Sequence, residues 1–307
     1  MSRSFDIVPG SSFSFADHFL TVECPGLRSP GDLLRLHYID EGPPSGRTLL
    51  FLHGNPTWSY LYRNILPDCA ARGYRVLALD NMGFGLSDKP AAVAAHTARR
   101  HIDNTQAFIT ALGLRKIVIV GHAWGAFFGL TYAASHPANV AGLVLLNGDT
   151  FATVDTPLAF KFLIAPGFGE LIGRRLNLLA AMLLYFGTGR RKHLTPVVMS
   201  QYGRPFPDYA SRAGVLGLPR MIPGRPDHPT LPLARSLEAK LHALTMPVLL
   251  IAGAHDRLIG VPAMRRLQAH LPHAETKIFA QAAHYLQEDM PEAVAQAILS
   301  FLSKHAL

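Results

Sequence analysis

A doubly wound α/β fold, with a mostly parallel sheet and an inserted helical cap, is what the sequence of 307 residues predicts. Three observations carry this. Short, nearly all-apolar strand candidates alternate with helical spacing from Leu33 to Leu146, the pattern of βαβ units whose sheet is covered on both faces. The alternation then stops for roughly ninety residues and resumes, a gap too long for a loop. Finally, the chain is 49% hydrophobic and 16% charged, which suits one large buried core and excludes a disordered polypeptide.

Taken in order, Leu33–Ile39 and Thr48–His53 read as strands, the second buried because almost every residue is apolar. Trp58 to Arg72 carries helical spacing and ends at Gly73, a suitable C-terminal cap. Val76–Leu79 is a buried strand that stops at Asp80, and His101–Leu112 is a helix closed by Gly113. The β-branched run Ile117 to Val120 is a strand meeting Gly121, and a helix follows to about His136, ended by Pro137. Leu143–Leu146 is the next strand. From Asp149 to Lys240 there are helical stretches and many prolines but no buried strand. The rhythm returns with a strand at Pro247–Ala252, a helix at Val261–His270, a strand at Lys277–Phe279 and a helix at Pro291–Lys304. The expected organisation is residues 1–148 as the first part of the core, 149–240 as a helical cap and 241–307 as the second part of the core. The cap is expected at the carboxyl edge of the sheet, where such folds bind ligands.

Composition removes several function classes. Lys plus Arg number 29 against 21 Asp plus Glu, a formal +8, but the basic residues are scattered and no basic helix appears, so no nucleic-acid partner is expected. Cys24 and Cys69 share no CxxC spacing, which argues against structural zinc and a disulfide framework. Met1 to Leu20 lacks a continuous apolar stretch and does not read as a signal peptide, so a cytoplasmic location is expected. Leu176 to Phe186 is apolar apart from Asn177 and flanked by arginines. It is shorter than the about twenty residues needed to span a bilayer. It is expected to be a buried or pocket-lining helix, with membrane-surface contact and association of copies left open.

The chemistry concentrates on Val120-Gly121-His122-Ala123-Trp124-Gly125, which joins a buried strand to a helix. This is the context of a nucleophile elbow, in which glycines allow a sharp turn that presents the middle side chain. The helix starting there offers backbone N–H groups and a positive dipole end to an anion. His53-Gly54-Asn55-Pro56 follows an earlier strand, where such a fold builds the rest of an anion hole. Asp256 follows the strand resumed after the cap, and His284 follows the last strand. The order of nucleophile position, acid and histidine is the one this architecture uses. Asp149, just after Leu146, is a second candidate for the acid. The Asn55 carboxamide and Trp124 indole are both donors, suited to a leaving halide or another developing anion. His53 and His122 read as turn-stabilising residues, and Phe127, Phe151, Leu258 and Tyr285 flank the motifs as candidate pocket lining.

His53-Gly54-Asn55-Pro56-Thr57-Trp58-Ser59-Tyr60-Leu61-Tyr62-Arg63, Asp80-Asn81-Met82-Gly83-Phe84-Gly85-Leu86-Ser87-Asp88-Lys89-Pro90 and the elbow resemble the haloalkane dehalogenases, in the α/β-hydrolase superfamily. The resemblance covers nearly the whole chain, including Arg220-Met221-Ile222-Pro223, and extends to the β-lactone decarboxylases of bacterial olefin formation. It implies that an elbow carboxylate displaces halide from carbon to form an alkyl-enzyme ester. His284, oriented by Asp256, would then deprotonate the water that hydrolyses the ester, while Asn55 and Trp124 hold the halide. It implies a small apolar substrate and neither metal nor organic cofactor.

The departure is Ala123, where the resemblance calls for aspartate. A methyl group cannot attack carbon, and loss of a triad nucleophile costs on the order of 10⁶-fold in rate, so an inactive haloalkane dehalogenase is expected. An engineered replacement of Asp or Ser is favoured over natural loss, because an elbow residue is strained and glycine would suit an idle site better. The alternatives are a β-lactone decarboxylase, an ester or epoxide hydrolase, and a ligand-binding protein without catalysis.

Overall fold

The computed structural model describes residues 13–25, 27, 31–153 and 158–307; most of the segment read for a signal peptide, and residues 154–157 of the expected cap, lie outside them. The strands are β1 (His18–Glu23), β2 (Leu33–Glu41), β3 (Thr48–Leu52), β4 (Arg75–Leu79), β5 (Ile117–His122), β6 (Val140–Leu146), β7 (Val248–Gly253) and β8 (Glu275–Phe279). They form one sheet in the order β1-β2-β4-β3-β5-β6-β7-β8. The β1–β2 and β2–β4 pairs are antiparallel and the rest are parallel. Every residue of β5 and β7 is buried, as a parallel sheet covered on both faces requires.

The first helices are α1 (Leu66–Ala71), α2 (Ala98–Ala111) and α3 (Trp124–Ser135). Between β6 and β7 come α4 (Leu158–Leu163), α5 (Leu178–Gly187), α6 (Pro196–Gly203), α7 (Ala213–Arg220) and α8 (Thr230–Leu241), with no strand among the described residues. The chain closes with α9 (Gly260–His270), α10 (Leu286–Asp289) and α11 (Pro291–Lys304). Helix α3 packs on β3, β5 and β6 and touches α2 and α8, whereas α1 packs on α11. Helix α8 thus rests on core helices, so the expected boundary at residue 240 falls beyond a helix that the core holds.

Three elements differ from expectation. The single helix expected over Trp58–Arg72 is a 3-10 turn at Ser59–Tyr62 followed by α1. Pro67 explains the break: its ring lacks an N–H and tolerates only the first turn of a helix. The antiparallel β1 was not expected, because only Val22 of its six residues is fully buried. The apolar run at Leu176–Phe186 does form a helix, but only part of it is buried. Leu179, Ala180 and Leu184 are covered, while Leu176, Leu178, Tyr185 and Phe186 are exposed.

Buried ionic networks tie the loops at the carboxyl ends of the strands to the core. Asp80, fully buried, accepts hydrogen bonds from the Ser59 and Leu86 N–H groups at 2.7 and 2.9 Å and pairs with His37 at 2.7 Å. Burial alone would discharge His37, but Asp80 and Asp17 outweigh it and hold its pKa up at about 9. The Asp80-to-Pro90 motif is therefore accounted for by loop anchoring. A second network joins Arg63 to Glu288 through two hydrogen bonds of 2.5 and 2.8 Å. Tyr202 also donates to Glu288, and the Arg63 guanidinium lies 4.1 Å from the Tyr60 ring centre. The network links the turn after Asn55, the helix after His284 and α6. Glu288→Ala leaves the arginine charge buried without a partner and is expected to cost about 3–5 kcal/mol. Urea unfolding checks this, and a loss below about 1 kcal/mol would contradict it.

No described helix is long and apolar enough to cross a membrane. Cys24 and Cys69 are free and buried.

Candidate active site

The elbow forms where β5 ends and α3 begins. Ala123 has φ 49 and ψ −114, in the left-handed region that a residue with a Cβ rarely adopts. Two glycines make the turn feasible. A Cβ on Gly125 would stand 2.0 Å from the Leu52 carbonyl oxygen, and one on Gly121 would stand 2.6 Å from Ala126 Cα. Helix α3 therefore approaches β3 and β5 more closely than any side chain would allow. The Ala123 N–H is held by the Leu146 carbonyl at 3.2 Å, and its own carbonyl accepts from Ala126 and Phe127. The N–H groups of Trp124 and Gly125 lie in the first turn of α3, where helix geometry supplies no acceptors.

A cavity of about 220 Å³ opens above this turn, lined by Asn55, Ala123, Trp124, Asp149, Phe151, Leu258, His284 and Tyr285 among others. Leu183 of α5 and Pro219 of α7 also face it. The cavity is thus bounded both by loops of the sheet and by helices inserted between β6 and β7. Asn55 and Tyr285, 230 positions apart, meet here, and the Tyr285 hydroxyl donates to the Asn55 carbonyl at 3.0 Å. Among the described residues, neither the Asn55 carboxamide N–H₂ nor the Trp124 indole N–H has a protein acceptor, and both side chains line the cavity, whereas the Asn55 carboxamide oxygen is buried without a donor. Two side-chain donors left free at one cavity wall suit an anionic guest.

His284 pairs with Asp256 through Nδ1 at 2.9 Å. Asp256 also accepts hydrogen bonds from the backbone N–H groups of Leu258, Ile259 and Gly260 at 2.8, 3.2 and 3.1 Å. Burial disfavours its charge, yet His284 and these amides together hold its pKa below the ordinary carboxylate value. With Asp256 accepting at Nδ1, the Nε2 atom is the one left for proton transfer. Asp149 is turned elsewhere: one oxygen accepts from Arg266 at 2.8 Å and the other from the Thr150 N–H at 2.7 Å. The structure therefore puts Asp256, and not Asp149, against the histidine.

The other expected histidines are engaged in the turns. The Asn81 N–H donates to His53 Nε2 at 2.9 Å, so His53 Nδ1 carries the proton and donates to the Gly54 carbonyl at 2.7 Å. His122 Nε2 donates to the His284 carbonyl at 2.8 Å, and burial drives its pKa down to about 3, which keeps it neutral. Of the four aromatic or apolar residues expected to line the pocket, Phe151, Leu258 and Tyr285 do so. Phe127 does not. It is fully buried behind the indole, edge-on to Trp124 at 5.5 Å, because it sits one turn further along α3 and faces the core.

Asn147 was missed by sequence reasoning. Its amide donates to the carbonyls of Ala283 and His284, both at 2.9 Å, and accepts from the Gly253 N–H at 3.0 Å. One side chain thereby clips the His284 loop to the ends of β6 and β7. Arg266, whose pairing with Asp149 closes one side of the cavity, was missed as well. A lone Asn after a strand and an Arg within an amphipathic helix carry no distinguishing pattern. Among the described residues no cluster of three or more His, Cys, Asp or Glu is placed to hold a metal ion.

Comparison with known proteins agrees with this geometry. The profile of the alpha/beta hydrolase fold family matches residues 47–291. A haloalkane dehalogenase of Mycobacterium marinum is 38% identical over 94% of this chain and 94% of its own. A cis-3-alkyl-4-alkyloxetan-2-one decarboxylase of Shewanella oneidensis is 30% identical over 88% of this chain and 86% of its own. Among solved structures, the haloalkane dehalogenase DbeA from Bradyrhizobium elkani superposes with a TM-score of 0.83 at 27% identity, covering 95% of this chain and 99% of that one.

Proposed function

The chain belongs to the alpha/beta hydrolase fold family, in the branch that holds the haloalkane dehalogenases, and from that premise we propose that its cavity is built to cleave carbon–halogen bonds through an ester at position 123. The observation that carries this reading is the meeting of the unpaired Asn55 and Trp124 donors with His284–Asp256 around one strained elbow residue. With a carboxylate at 123, an oxygen attacks the halogen-bearing carbon and the carbon–halogen electron pair leaves with the halide, which the two donors receive. His284 Nε2 then takes a proton from water, whose oxygen attacks the ester carbonyl carbon. The bond between that carbonyl carbon and the alkyl oxygen breaks, the alkyl oxygen leaves as an alcohol with the second water proton, the carboxylate at 123 is restored, and His284 passes its proton to solvent. Backbone N–H groups at the start of α3 would serve the oxyanion of that second step.

Ala123 stops this sequence at binding, so the chain is proposed to hold substrate without consuming it. Its left-handed conformation supports a replacement of Asp or Ser, whose reactive side chain would repay the strain. A side chain there costs about 1–3 kcal/mol in backbone strain, which an idle site would shed.

The halide site can be tested in the chain as it stands. Its two tryptophans are Trp58 and Trp124, and only Trp124 lines the cavity. Bromide or iodide is expected to quench part of the fluorescence saturably, and Trp124→Phe is expected to abolish the saturable component while Trp58 continues to emit. Quenching that stays linear in halide, or persists in Trp124→Phe, would remove the observation on which the proposal stands.

A second reading draws on the decarboxylase relative and on the apolar residues facing the cavity from α5 and α7. On that reading the carboxylate at 123 would open a β-lactone ring, with loss of carbon dioxide and formation of an alkene. Halide release and alkene formation by the same variant separate the two readings.

A further inference from the structure

Helix α5 is apolar on all sides yet only half covered. From Leu178 to Gly187 the Tyr185 hydroxyl is its one polar side-chain group. At the about 100° per residue of an α-helix, Leu179, Ala180, Leu184 and Gly187 fall on the buried side. Leu178, Tyr185 and Phe186 fall on the opposite side and are 45%, 47% and 67% exposed. Leu176, just before the helix, is 50% exposed. A helix apolar all round is ordinarily buried, and a contiguous exposed apolar face marks a binding surface.

Charge says what that surface fits. From residue 171 to 207 the sequence holds six Arg or Lys and no Asp or Glu. Arg175 stands exposed at one end of α5, and Arg191 and Lys192 stand exposed at the other, beside half-buried Arg190. Arg174 is spoken for, with its guanidinium donating to the Tyr209 and Ala91 carbonyls. The Arg191 guanidinium lies 4.5 Å from the Tyr185 ring centre and its Nε donates to the Tyr185 carbonyl at 3.1 Å, so the cation is held at the edge of the exposed apolar face. The nearby Asp289 is buried and accepts from the Gly189, Arg190 and Ala283 N–H groups.

We propose that this face of α5 docks the protein on an anionic lipid surface, with Phe186, Tyr185 and Leu178 entering the headgroup boundary and Arg175, Arg191 and Lys192 meeting lipid phosphates. An apolar helix face rimmed by cations is the signature of interfacial membrane binding. A second copy of the chain fits poorly, because a symmetric pairing across α5 would bring both cationic rims together. Leu183 of the same helix lines the catalytic cavity, so docking would present that cavity to apolar molecules dissolved in the bilayer. This delivery rests on the proposed function, whereas the docking does not.

Sedimentation with phosphatidylcholine vesicles, with and without phosphatidylglycerol, tests the docking. The full chain is expected to bind the phosphatidylglycerol vesicles and to be released by salt. Each cation near such a surface contributes about fivefold in the binding constant, so the double variant Arg191→Gln/Lys192→Gln is expected to bind roughly 30-fold more weakly. Tyr185→Ser/Phe186→Ser is expected to lose binding while keeping the wild-type unfolding temperature and bromide quenching. Failure of the full chain to bind at low salt would overturn the proposal, as would equal binding to both vesicle types. Light scattering that shows a dimer dispersed by Phe186→Ser would also overturn it, in favour of an interface between copies.

Discussion

Ala123→Asp is expected to convert the chain into a multiple-turnover enzyme that releases halide from short bromoalkanes, with a rate on the order of 10⁶-fold above the alanine chain. Every other group that the proposed route calls for is already in position. The elbow backbone holds φ 49 at residue 123, and that residue faces the cavity shared with Asn55, Trp124 and His284. Asp256 is fixed on His284 at 2.9 Å and by three backbone amides, so no partner has to be rebuilt. The new side chain projects into the cavity; the backbone already meets the strain of the turn. Ala123→Asn is the control. It fills the same space without a nucleophile and is expected to remain at the level of the alanine chain. Ion chromatography of released bromide, with folding checked by circular dichroism, makes the measurement. A folded Ala123→Asp protein that releases no halide yet forms alkene from a cis-β-lactone would transfer the assignment to the decarboxylase reading. Failure on both substrate types would defeat covalent catalysis at this site and leave a ligand-binding protein.

Much of this arrangement was legible in the chain itself, for physical reasons that also explain the exceptions. The run Ile117 to Val120 is β-branched and ends at glycine, so the central strand and its sharp exit could be read without coordinates. Asn55, Trp124, Asp256 and His284 lie two to five residues past the ends of β3, β5, β7 and β8, and in a parallel sheet all such positions open on one edge. Strand β1 was illegible because its residues are half exposed and carry no apolar run. The 3-10 turn at Ser59–Tyr62 was hidden by apolar spacing that overrode the warning from Pro67. Asn147 gave no signal because its three hydrogen bonds join segments more than a hundred positions away. The outward face of α5 was also beyond periodicity, since a helix apolar on every side has no preferred direction.

On the proposed route the histidine separates the two chemical steps, and that gives the second large effect. In the Ala123→Asp background, His284→Phe is expected to release one equivalent of bromide per active site and then stop. Formation of the ester needs only the carboxylate and the halide donors; its hydrolysis needs a base on Nε2. The trapped protein is expected to gain the mass of the alkyl group less one hydrogen, localised by peptide mapping to the segment containing position 123. Asp256→Asn should resemble it less severely. Asn can present its amide to Nδ1 and so turn the imidazole to the wrong tautomer, which costs about 10⁴-fold in a serine-protease triad. Direct attack of water on the haloalkane predicts something different: removal of His284 would then eliminate the first equivalent of halide as well. Continued turnover without His284, or absence of the burst in a folded protein, would therefore exclude the two-step route, because among the described residues no other imidazole beside position 123 has its second nitrogen committed to a carboxylate.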